Sequence, residues 1–125
     1  MKPGRTVAAQ LEALLAQAMV AADPVAVLDQ AAADRRRPAA LRAALRSCDR
    51  DGVRMTALLI AKLRFERLLR ACEEAEWLFE RDPASFSELF RQYHQSVPPT
   101  AFFPAEEARL FRQFLSVEHA RGRRS

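Results

Sequence analysis

At 125 residues, half of them hydrophobic, the chain is long enough to bury a core and short enough to be one domain. Three glycines, few β-branched residues and an abundance of Leu, Ala, Arg, Glu and Gln exclude a disordered chain or a strand-and-turn protein and predict an all-α fold. The net charge of +4, with 16 acids offsetting 20 bases, is too modest to mark a nucleic-acid binder by itself.

The first helix is predicted from about Thr6 to Ala22, where Leu11, Leu14, Leu15, Ala18 and Met19 recur at three and four residues and form one apolar stripe. Asp23-Pro24 then combines a good N-cap with a residue suited to the first helical position. It starts a second helix, about Pro24 to Ala33, carrying Val25, Val27 and Leu28. The polar run Asp34 to Pro38 leads to a third, about Pro38 to Ser47, with Leu41 and Leu45 on one face. Cys48 to Gly52, CDRDG, is the clearest turn signal in the chain.

From Val53 to Arg81 there is neither Gly nor Pro, and Leu58, Leu59, Leu63, Phe65, Leu68, Leu69, Trp77, Leu78 and Phe79 are expected to bury. The charges of this stretch are lopsided. Bases dominate as far as Arg70, and acids from Glu73 to Asp82. In one continuous helix those acids would sit at the negative end of the macrodipole. A break at 71–74 instead places Glu73, Glu74 and Glu76 in a favourable first turn. Asp82-Pro83 ends the segment, and Ser85-x-x-Glu88 reads as a capping box. The helix it starts carries Phe86, Leu89, Phe90 and Tyr93. The last helix begins at Pro104, with Glu106 and Glu107 in its first turn and Leu110, Phe111, Phe114 and Leu115 on its buried face. The result is a single small bundle of six or seven short helices over residues 1–120, followed by a frayed basic tail at 121–125.

No constellation points to catalysis. Cys48, Cys72, His94 and His119 share no metal-ligand spacing, and no glycine-rich phosphate loop or Ser–His–Asp arrangement occurs. The chain itself is expected to hold no cofactor and no metal. No run approaches a membrane span, the start is too polar for a signal peptide, and the thiols fit a reducing cytoplasm. Two arginine clusters, Arg35 to Arg37 and Arg64, Arg67 and Arg70, raise DNA binding as an alternative. No helix reads as a recognition helix, and solvated faces account for both runs.

The connection YHQSVPPTAFFP, Tyr93 to Pro104, is stiff and apolar where loops are usually flexible and polar. Pro98 and Pro99 lock an extended backbone. Phe102 and Phe103 then either fold back to close the bundle or present a rigid aromatic surface, with Tyr93 and His94, to a partner. Trp77 faces the same choice, and the core is the expectation.

The segments RFERLL (Arg64 to Leu69), FSELFRQYHQSVPP (Phe86 to Pro99) and ARLFRQFL (Ala108 to Leu115) resemble, in order and spacing, a bacterial helical family that carries a DNA-binding label. The likeness covers about Asp49 to Ser116, and the helix–Asp-Pro–helix opening is similar as well. Two departures are the missing Phe-Pro step near Cys72 to Ala75 and Asp82-Pro83 in place of the family's Gly. Members of this family are similar to the small partner subunits of multinuclear non-haem iron oxygenases, which modify cysteines in ribosomally made peptides of methanobactin and thiaglutamate type. Longer partners carry a β-rich part after the helices; this sequence ends at Ser125.

The resemblance implies a non-catalytic subunit that binds no iron itself. Such a subunit forms a heterodimer with the larger iron-dependent oxygenase and helps present the precursor peptide. The contact residues expected on this chain are Arg35, Arg36, Arg37, Tyr93, His94, Pro98, Pro99, Phe102 and Phe103. A self-associating helical scaffold is the third reading.

Overall fold

The structure, a computed structural model, describes residues 6–124. It comprises seven α-helices and, among the described residues, no strand. They are α1 (Val7–Val20), α2 (Pro24–Ala33), α3 (Ala39–Ser47), α4 (Arg50–Ala71), α5 (Glu73–Arg81), α6 (Pro83–Ser96) and α7 (Pro104–Arg124). They gather into two compact units, one ending at Leu59 and the other beginning at Ile60, so α4 supplies residues to both.

In the first unit the side chains of Thr6 and Asp23 cap α1 and α2 by accepting the backbone N–H of Ala9 and Ala26, each at 3.1 Å. α1, α2 and α3 pack on one another around Leu14, Ala18, Leu28, Ala31, Ala32, Leu41 and Leu45, joined by Val53. Leu28, Leu41 and Leu45 are fully buried, and each such side chain contributes about 1.5–3 kcal/mol.

Arginines close the helix ends of this unit. Arg46 donates to the Ala32 carbonyl at the end of α2, at 3.4 Å. Arg50 Nη1 donates to the carbonyls of Leu45 (2.7 Å), Arg46 (3.2 Å) and Cys48 (2.7 Å) at the end of α3. Its Nη2 reaches Asp29 Oδ1 at 2.7 Å. Orphaned carbonyls and a cation at the negative end of the dipole explain the placement.

The second unit is built around aromatic rings. Leu68, Cys72, Ala75, Phe86, Phe90, Tyr93, Ala108, Phe111 and Phe114 form its buried centre, with Phe65 and Phe79 packed against it. The rings meet mostly edge to face, as in Phe65–Phe90 (5.1 Å, 86°) and Tyr93–Phe111 (5.1 Å, 89°). Aromatic quadrupoles favour this geometry.

The helix break falls at Cys72, which stands at the N-cap position of α5 without a side-chain cap bond and leaves Glu73, Glu74 and Glu76 in the first turn, as the charge pattern requires. Two turn readings need correction. Only Cys48 and Asp49 separate α3 from α4, and Gly52 lies in the first turn of α4 without a positive φ. The start of α6 is set by Asp82, not Ser85. Asp82 accepts the Ser85 N–H at 3.2 Å and its hydroxyl at 2.7 Å, Pro83 takes the first turn, and Glu88 pairs with Arg91. α7 continues to Arg124 where a frayed tail is expected from 121.

Leu58, Leu59 and Leu63 are exposed, because the buried face of α4 is set by Val53, Ala57, Arg64 and Leu68, and the three leucines lie off it. Trp77, expected in the core, is 52% exposed.

Candidate functional site

The second unit buries an ion pair beneath the loop that joins α6 to α7. Arg64 on α4 and Glu107 on α7 are both fully buried, with Nε 2.8 Å from Oε2. Each lies on the apolar stripe of its own helix. Arg64 is four residues before Leu68, and Glu107 is four before Phe111 and seven before Phe114. Helical register therefore drives both charges inward, and they are tolerated there because they meet.

The guanidinium is nearly saturated. Nη1 donates to the Val97 carbonyl at 2.6 Å, and Nη2 to the Pro98 carbonyl at 3.2 Å. Nη1 also lies 3.3 Å from His94 Nδ1. A guanidinium only donates, so in this contact His94 Nδ1 is on the accepting side. The guanidinium carbon sits 4.2 Å from the centre of the Tyr93 ring, and the Tyr93 hydroxyl donates to Glu107 Oε2. Burial first, and the Glu107 carboxylate second, push the Tyr93 phenol far above its usual range, so it stays a donor.

These bonds fix the loop. Val97 closes α6 by donating its N–H to the Tyr93 carbonyl at 2.9 Å, while its own carbonyl and the next are gripped by Arg64. Thr100 N–H reaches the Pro98 carbonyl at 2.9 Å, and Ala101 is buried. The Phe103 carbonyl accepts the first backbone bonds of α7, from Glu106 (3.1 Å) and Glu107 (3.2 Å). The side chains of Phe102 and Phe103 have no place in this anchoring. They stand 79% and 61% exposed, edge to face with each other at 5.2 Å and 74°.

The expected contact residues therefore divide. Pro98, Pro99, Phe102 and Phe103 are on the surface. Tyr93 and His94 are not. Tyr93 is fully buried against Phe111 and Phe114, and His94 is stacked on Phe90. They support the loop from below and present nothing to solvent.

Arg35 and Arg36 lie exposed in the first unit, and Arg37 is half-buried. Arg36 forms a two-toothed pair with Asp34, at 3.0 and 3.2 Å, which holds the Asp34 carboxyl below its usual range. Arg64, Arg67 and Arg70 do not make a phosphate-binding row, since Arg64 is inside.

Among the described residues no cluster of three or more His, Cys, Asp or Glu is placed to hold a metal ion, and no helix is long and apolar enough to cross a membrane. Cys48 and Cys72 are free thiols, and burial pushes the Cys72 thiol up. No protein-family model, no curated protein and no solved structure matches the chain.

Proposed function

We propose that this chain is a non-catalytic partner subunit, one that docks on a larger multinuclear iron-dependent oxygenase and helps present a ribosomally made precursor peptide for cysteine modification. The observation that carries the docking half of this reading is the outward Phe102–Phe103 pair on a loop anchored from below by Arg64. The two adjacent phenylalanines stand largely in water and touch each other edge to face. Rigid aromatics on an immobilised backbone lose little entropy on binding and serve as anchors. The class of partner rests on the resemblance of Arg64–Leu69, Phe86–Pro99 and Ala108–Leu115 to the oxygenase partner subunits. The same three segments supply Arg64, Tyr93, His94, Val97, Pro98, Phe111 and Phe114, which take part in holding the loop, while Glu107 lies one residue before the third segment.

The DNA-binding alternative is less well supported. Arg42, Arg46 and Arg50 donate to backbone carbonyls, and Arg36 is engaged with Asp34. The two readings separate in one experiment. Tagged protein is recovered from the organism of origin, and the eluate is examined by mass spectrometry and metal analysis. A stoichiometric larger protein carrying iron supports the partner-subunit reading. Recovery of nucleic acid that dissociates steeply with added salt supports the alternative and overturns the first.

A further inference from the structure

α5 carries the chain's single tryptophan in the open. Two things flank it. On the C-terminal side Arg81, one turn on, lays its guanidinium over the indole with the carbon 4.1 Å from the ring centre. Glu73, Glu74 and Leu78 line with the indole an open surface cavity of about 400 Å³. Glu74 is engaged with Arg112 at 3.0 Å. Glu73, Glu76 and Glu80 form no salt bridge among the described residues.

We infer that the Trp77 cavity receives an arginine side chain from a partner polypeptide. The guanidinium packs against the indole in that cavity, with Glu73 supplying the countercharge. Three independent features converge on this occupant. The indole is the best cation-binding ring and is half exposed. Arg81 shows in the molecule itself that the ring takes a guanidinium at stacking distance. The cavity beside the ring is lined by two carboxylates and by Leu78, which matches a cation on an apolar stem. A planar fork suits this site better than a compact ammonium. The assignment stands apart from the nature of the larger partner and does not use the Phe102–Phe103 surface.

The single tryptophan makes the test direct. A short peptide with one arginine between glycines, blocked at both ends, is titrated into the protein at low salt while Trp77 fluorescence is followed. Companion peptides carry citrulline or lysine in place of the arginine. The inference predicts a saturable change with the arginine peptide, about tenfold weaker binding with citrulline, which keeps the shape and loses the charge, and an intermediate result with lysine. Glu73→Gln should weaken the arginine peptide severalfold while lowering the thermal midpoint only slightly, by the loss of one first-turn acid. Equal responses to arginine and citrulline, no saturation, or indifference to Glu73→Gln would overturn it. Because Glu73 lies in a solvated first turn, the variant folds. Trp77→Phe, followed by calorimetry, gives a second readout independent of fluorescence, and unchanged affinity there would also contradict the site.

Discussion

Arg64 and Glu107, forty-three residues apart, form a fully buried ion pair at 2.8 Å, and the same guanidinium holds the carbonyls of Val97 and Pro98. One buried cation thus ties α4 to α7 and fixes the end of α6. A lone charge left in this place would have neither water nor a countercharge. Arg64→Ala and Glu107→Ala should each destabilise the protein by about 3–5 kcal/mol, a large part of the stability of a small domain. Urea denaturation measures it.

The pair also has a positioning role, and this separates from stability. Arg64→Met combined with Glu107→Leu and Tyr93→Phe replaces the buried polar cluster with apolar volume, and the triple variant should recover most of the stability lost by either single change. Val97, Thr100 and Ala101 should nonetheless exchange their amide hydrogens faster, because nothing then grips the loop carbonyls. Amide protection equal to the wild type would show that Arg64 is dispensable for the loop.

Tyr93 is the chain's only tyrosine, and in the fold its phenol is held far above the value of 10.0 it has when free. Above that pH the unfolded chain releases the proton and the folded chain keeps it. The unfolded state then binds fewer protons, so stability falls as pH rises. Below pH 10 this contribution is fully present. An alkaline titration followed by tyrosinate absorbance should therefore show one cooperative step coincident with loss of helix. A gradual titration with the helix intact would contradict the burial of the hydroxyl.

At the acid end, Asp34, Glu74, Asp82 and Glu88 are held low by Arg36, by the Glu74 backbone N–H, by Ser85 and by Arg91 respectively. Folded carboxyls that resist protonation contribute stability above their unfolded values. This contribution is lost as pH falls below about 4, through the depressed folded values. The urea midpoint followed through an acid titration should hold to about pH 4 and decline modestly below it, since these carboxylates lie at the surface.

Arg50 closes three carbonyls at the end of α3 and pairs with Asp29. Arg50→Ala should lower stability by about 2 kcal/mol. Arg50→Lys should restore only part, since an ammonium cannot span the carbonyls and the carboxylate in one fork. Thermal or urea unfolding of the three proteins decides it.

The elements most readable in the sequence are those whose signals are local. Asp23-Pro24 opens α2 where it should, and the reversal of charge around Cys72 locates the break between α4 and α5. Asp82-Pro83 carries the same signal as Asp23-Pro24, yet the Ser85–Glu88 spacing masks it. Composition made Gly52 look like a turn, although Asp49, at the adjoining break, accepts the Val53 N–H at its carbonyl and α4 is already under way.

The buried pair was hidden for a different reason. An arginine and a first-turn glutamate are normally solvated, and only their places on the stripes of Leu68 and of Phe111 and Phe114 betray them. That they meet is a tertiary fact, set by the packing of three helices. The outward turn of Phe102 and Phe103 follows from the same grip and could not be read from the loop alone.

Docking of a larger iron-bearing protein on Phe102 and Phe103 is what we propose for the anchored loop. The most direct measurement recovers tagged wild type and the Phe102→Ser, Phe103→Ser double variant side by side from the organism of origin, with protein stoichiometry and iron measured in each eluate. Both side chains are exposed, so the variant should match the wild type in thermal midpoint. The account predicts a stoichiometric iron protein with the wild type and at least about a tenfold loss with the variant. Equal recovery of the iron protein by the two, or none with the wild type, would contradict it.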